Sequence, residues 1–215
     1  MDNIFGKMRA VLVLAIVFAA VQDLQCLQSV PNPRLNFFDI DLLRHTAESK
    51  PGNVVLSPAS IKATLAMLLE GAVGRTASEI KSTLRLSHAR KEFREELKVY
   101  LRALDGNRYS LILLVPEDRE AGVALIRDLP YVGLPAISDL MEPTEVLLTM
   151  PKFTIDYSED LVDSLKSSGI RTLFAPNANL SGIFEDSSPS VTTIHQTVHL
   201  SVDETGTVAA AATAG

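Results

Sequence analysis

From Thr205 to Gly215 the chain carries no charge and no side chain larger than valine. A segment that must slide between two strands of a closed sheet needs this composition. At strand period, Thr207, Ala209, Ala211 and Thr213 point toward the core side, where only small groups fit without overpacking. A charge there would be desolvated at a cost of several kcal/mol. Gly206 supplies the backbone freedom of a hinge. Taken alone, the same run also suits the end of an alanine-rich helix or an unstructured tail.

The N-terminus sets the compartment. Lys7 and Arg9 precede an unbroken apolar run from Ala10 to Val21, followed by Gln22, Asp23 and Gln25. That run is too short for a bilayer span of about 20 residues and has the form of a secretory leader. The leader is expected over residues 1–22, with an alternative end at 26, leaving 23–215 as one domain. Secretion to the extracellular space follows, with no membrane contact once the leader is removed. The single cysteine, Cys26, cannot staple an extracellular scaffold, so the fold must rest on a packed core. Asn179-Leu180-Ser181 is a possible glycosylation sequon in an exported chain.

Periodicity predicts α+β. Helices are expected over Asn36–Thr46, Ala59–Glu70 and Ala89–Leu104, with shorter ones opening at the Thr76–Glu79 capping box, over Glu120–Leu129, and after Ser158 as N-cap. Ser57 and Pro58 read as N-cap and first helical residue, and Gly71 as a helix stop. Strands are expected at Val54–Leu56, Ser110–Val115 and Val146–Ile155. In the last strand Ile194, Val198, Leu200 and Val202 share one face, and His195, Thr197, His199 and Ser201 the other.

The stretch Asn53-Val54-Val55-Leu56-Ser57-Pro58-Ala59-Ser60, followed by Ala66-Met67-Leu68 and Gly71-Ala72-Val73-Gly74-Arg75-Thr76, resembles the serpin family of serine protease inhibitors. So does the C-terminal Glu204-Thr205-Gly206-Thr207-Val208-Ala209-Ala210-Ala211-Ala212-Thr213, which matches that family's reactive-loop hinge. The likeness extends through Met150-Pro151-Lys152-Phe153, Tyr157 to Leu165, and Leu180-Ser181-Gly182-Ile183. It implies a serpin fold, with N-terminal helices plus mixed and antiparallel sheets. It also implies that Ser57, Ser60 and His195 form the hydrogen-bonded shutter beneath the central sheet. The segment 203–215, the hinge and start of the reactive loop, would insert as a new strand after a protease cleaves the loop, dragging the acylated protease and distorting its active site. Thr205 and Val208 stand where glutamates are usual in that family.

The resemblance falls into two blocks, one up to about Leu104 and one from about Tyr109. The family's intervening strands and tryptophan region lie between those blocks in a full-length member; this chain contains no tryptophan. The central sheet is therefore expected to be incomplete. The isolated chain is expected to be monomeric but prone to aggregate, and unable to trap a protease by itself.

Other classes are disfavoured. A net charge of −6 gives no basic footprint for nucleic acid. No Gly-x-Ser-x-Gly elbow, zinc-type spacing or phosphate loop is present, so no catalytic residue, metal or cofactor is expected. The expected partner is a serine protease; a carrier or storage role is the alternative.

Overall fold

The computed structural model describes residues 19–20, 35–49, 52–87, 89–104, 109–110, 114–116, 119–132, 142, 144–145, 147, 149–184, 189–204 and 206–214. In chain order these form β1 (Ala19–Ala20), α1 (Leu35–Ser49), α2 (Pro58–Gly71), α3 (Gly74–Thr83), α4 (Arg90–Leu104), β2 (Tyr109–Ser110), α5 (Arg119–Val132), β3 (Phe153–Asp160), α6 (Val162–Ser167), a 3-10 turn at Thr172–Phe174, β4 (His195–Asp203) and β5 (Gly206–Ala214). β1, inside the expected leader, forms a two-residue ladder with β2. The main sheet is antiparallel in the order β3-β4-β5. No helix among the described residues is long and apolar enough to cross a membrane.

One core joins helices and sheet. Phe38 and Leu42 of α1, Ile61, Leu65 and Leu69 of α2, Ile80 of α3, Phe93 of α4, Leu165 of α6 and Ile194 beside β4 are all essentially excluded from solvent. Each contributes about 1.5–3 kcal/mol relative to an exposed position. The helical periodicity places them together: Ile61, Leu65 and Leu69 recur every fourth residue and so share one stripe of α2.

Several local expectations are corrected. Val54–Leu56 is half-buried but forms no strand and has no ladder partner among the described residues. The strand expected at 146–155 lies instead at Phe153–Asp160, beyond Pro151, whose missing N–H keeps it out of the ladder. Ser158 is therefore a strand residue, and the helix begins after Leu161. Of the strand expected at 110–115, only Ser110 is paired, as the second residue of β2, and 111–113 lie outside the described residues.

The Thr76–Glu79 capping box does not form. α3 begins three residues earlier, with Val73 at its N-cap, and the two side chains hold a loop instead. Thr76 Oγ1 accepts the Asn179 N–H at 3.0 Å. Glu79 accepts the N–H groups of Arg171 and Thr172, at 2.8 and 2.6 Å, and the Thr172 hydroxyl at 2.6 Å. Burial alone would push its carboxyl up, but these bonds, with Arg75, hold it down at about 2.

Gly71 is needed for a close approach rather than for its φ. A Cβ there would lie 2.0 Å from Ile183 Cγ1, and the Gly182 N–H donates to Gly71 O at 3.0 Å. Gly169, at φ +114°, provides the left-handed turn after α6.

α1 and α2 are also joined by a buried ion pair. Lys62 is fully buried, and its Nζ lies 2.5 Å from Asp39 Oδ1. Burial pushes the Asp39 carboxyl up and the Lys62 ammonium down, and each charge offsets part of that shift in the other.

Candidate functional site

The sheet turns one face to the helices. Ile194, just before β4, and Gln196, Val198, Leu200 and Val202 on it are buried, while His195, Thr197 and His199 are exposed. β5 follows in register: Thr213 faces Gln196, Ala211 faces Val198, Ala209 faces Leu200 and Thr207 faces Val202. Directly cross-strand partners share a face, so Thr207, Ala209, Ala211 and Thr213 are the register positions opposite the helix side of β4; Ala211 is itself exposed and Thr213 half-buried. Val208, opposite Ser201, is exposed. Glu204 is exposed and pairs with Lys152 at 3.3 Å. Thr205 lies outside the described residues.

Gln196 is the one polar side chain on the buried face of β4, and it meets the start of α2. Its Oε1 accepts the Ser57 N–H at 3.0 Å. Its Nε2 reaches Ser57 O at 3.1 Å, Ser60 Oγ at 2.9 Å and Thr213 Oγ1 at 3.1 Å. A backbone N–H can only donate, so the amide oxygen must face Ser57, which fixes the orientation of the amide. Ser60 Oγ donates to Ser57 O at 3.0 Å and lies 2.8 Å from Thr213 Oγ1. One assignment satisfies the group. Ser60 O–H donates to Ser57 O, Thr213 O–H donates to Ser60 Oγ, and Nε2 divides its two hydrogens among the remaining acceptors.

The cluster therefore joins the first turn of α2, β4 and β5. Ser57 takes part through its backbone and Ser60 through its hydroxyl. His195 does not take part. It lies on the outer face of the sheet, where Nε2 is 2.7 Å from Ser158 Oγ, and Ser158 Oγ is 3.1 Å from Thr197 Oγ1. The side chain of the next residue, Gln196, occupies the place expected of the histidine. The physical reason is strand period: His195 is odd in a strand whose buried positions are even. A lone amide on an otherwise apolar face was the signal that could have identified it. No side chain in the cluster titrates near neutral pH.

On the outer face, His199 Nδ1 lies 2.6 Å from Asp156 Oδ1. Asp160 accepts the Val162 N–H and the Thr193 hydroxyl, so it does not orient His195 against Ser158 as a third catalytic group would. Among the described residues, no group of three or more His, Cys, Asp or Glu could hold a metal. Asn179 is exposed. Its carbonyl accepts the Val73 N–H at 3.0 Å, and its Oδ1 accepts the Ser181 N–H at 3.1 Å.

The chain matches known proteins in this arrangement. The sequence model of the family described as "Serpin (serine protease inhibitor)" matches residues 33–108 and 97–215. Intracellular coagulation inhibitor 1 of Tachypleus tridentatus is 38% identical over 107 residues, covering 48% of this chain and 26% of that protein. Ipis-1 of Ixodes persulcatus is 30% identical over 172 residues, covering 77% of this chain and 41% of that protein. The chain thus spans less than half the length of either relative. The structure of reaction-loop-cleaved lamprey angiotensinogen aligns with a TM-score of 0.71 at 16% identity, over 86% of this chain and 97% of that one. The family match covers nearly the whole chain after the expected leader and includes both α2 and the β4–β5 hairpin: this chain belongs to the serpin family.

Proposed function

We propose that the protein to which this chain belongs traps serine proteases by inserting its reactive loop into the central sheet. The observation that carries this reading is β5 itself. Its residues Thr207, Ala209, Ala211 and Thr213 oppose the buried residues Val202, Leu200, Val198 and Gln196, and none is large enough to resist burial. A target protease attacks a loop peptide bond beyond this segment. Its serine becomes acylated by the new carboxyl end as the amine departs. β5 enters the sheet before water can hydrolyse that ester. Thr213 then joins Gln196 and Ser60, and the new strand gains both a ladder and two side-chain hydrogen bonds.

This reading assigns no inhibition to the 215-residue chain alone. It also places the mature protein outside the cell, on the strength of the basic and apolar leader, and N-terminal sequencing of the exported product tests that. A carrier or storage role is the competing reading. Incubating the full-length protein with trypsin-like and chymotrypsin-like proteases decides between them. The trapping reading predicts an SDS-resistant complex, and simple cleavage or no reaction supports the carrier.

A further inference from the structure

Little in β5 selects its alignment against β4. Residues 209–212 are four consecutive alanines, so a slip of two residues exchanges alanine for alanine over the middle of the strand. The connection does not favour the observed alignment either. Asp203 pairs with Gly206, which leaves residues 204 and 205 as the link. Two-residue hairpin loops prefer glycine within the loop. Sliding β5 by two residues past β4 pairs Asp203 with Val208 and leaves 204–207, with Gly206 inside it, as a four-residue link. Gly215 would then face Gln196, and Thr213 would face Val198.

What the observed alignment has, and the slid one lacks, is a hydroxyl opposite Gln196. Thr213 Oγ1 lies 3.1 Å from Gln196 Nε2 and 2.8 Å from Ser60 Oγ. In the slid alignment both contacts are lost, and the Thr213 hydroxyl is carried against an apolar neighbour. We propose that Thr213 sets the register of the inserting strand, read by the Gln196 amide and the Ser60 hydroxyl. The proposal rests on the reading of 206–214 as an inserting strand and adds to it the residue that fixes where insertion stops. Two hydrogen bonds of ordinary net strength favour the observed register by roughly thirtyfold. The reader is uncharged, so the clamp needs no proton uptake to engage.

Paired cysteines measure the register directly. In the full chain with Cys26→Ser, Ser201→Cys with Val208→Cys samples the observed alignment, since these positions face each other. Ser201→Cys with Ala210→Cys samples the slid one. A two-residue slip preserves the pairing type at position 201, so both disulfides meet the same geometric demand. The 201–208 pair should close and the 201–210 pair should not. Thr213→Val should raise the ratio of 201–210 to 201–208 closure rates by roughly thirtyfold, while Thr213→Ser, which keeps the hydroxyl, leaves it unchanged. Thr213→Ala combined with Gly215→Thr moves the hydroxyl two residues and should make the 201–210 disulfide dominant. An unchanged ratio in both the valine and the moved-hydroxyl variants overturns the clamp and leaves the inserted strand standing. Closure of neither disulfide in the parent background overturns the strand and the clamp together. A variant that merely loses stability slows both closures alike and leaves the ratio near its parent value, which also counts against the clamp.

Discussion

Asp39→Ala should be among the most damaging single substitutions in the helical layer. Lys62 is fully buried, its Nζ 2.5 Å from Asp39 Oδ1 and 6.0 Å from the centroid of Phe38. Removing the carboxylate leaves an ammonium in a site that burial already penalises, or forces the lysine to release its proton. Breaking a buried pair in this way costs about 3–5 kcal/mol. With a urea dependence of about 2 kcal/mol per molar, the denaturation midpoint should fall by roughly 2 M. The measurement is far-UV circular dichroism in urea, at protein concentrations low enough to keep the chain monomeric. Asp39→Leu combined with Lys62→Met replaces both charges by apolar groups of similar size. That double variant should return to parent stability or exceed it by about 1–4 kcal/mol. The reasoning is refuted if Asp39→Ala costs less than about 1 kcal/mol, or if the apolar double variant is as unstable as the single one.

Three further outcomes follow from local geometry. Glu79, held at about 2 against an ordinary value of 4.5, favours the folded state fully above pH 4.5 and loses that contribution as pH falls through about 2; at most about 3 kcal/mol is involved. Glu79→Gln should therefore flatten the stability profile between those limits, and an unchanged acid limb counts against this account. Gly182→Ala should destabilise more than Gly71→Ala. A Cβ at 182 meets the Gly71 backbone at 2.9 Å, whereas one at 71 meets Ile183, a half-exposed side chain able to swing away; equal midpoints in thermal melts would contradict this. Asn179 is exposed beside a turn, so protein expressed through a eukaryotic secretory pathway should lose mass on glycosidase treatment, and Asn179→Gln should abolish that loss; no mass change in the parent refutes it.

The helical layer was legible because period and capping speak locally: Ile61, Leu65 and Leu69 announced their stripe, and Pro58 the start of α2. The small neutral residues at 205–215 stood out in composition, but composition alone left a strand, a helix end and a tail open. What failed depended on partners distant in sequence. The Thr76–Glu79 spacing is that of a capping box, yet both side chains are taken by residues about a hundred positions away. Ser158 suits a helix start, but β4 recruits it into a strand through its register with Thr197. The polar side chain that meets Ser57 and Ser60 lies one position beyond the histidine expected there. Family resemblance drew attention to a histidine, while the two-residue period, already read correctly for Ile194 and Val198, pointed to Gln196. Lys62 could not have been anticipated, because a lysine on the apolar stripe of a helix declares itself only when Asp39 is brought beside it.

The most direct test of the inserting strand introduces charge opposite the helix side of β4. Thr207 and Ala209 oppose Val202 and Leu200, both buried. Thr207→Arg with Ala209→Arg in the full-length protein should abolish SDS-resistant protease complexes while leaving the loop cleavable as a substrate. Complexes formed at the parent rate and yield would contradict the claim that this segment enters the sheet.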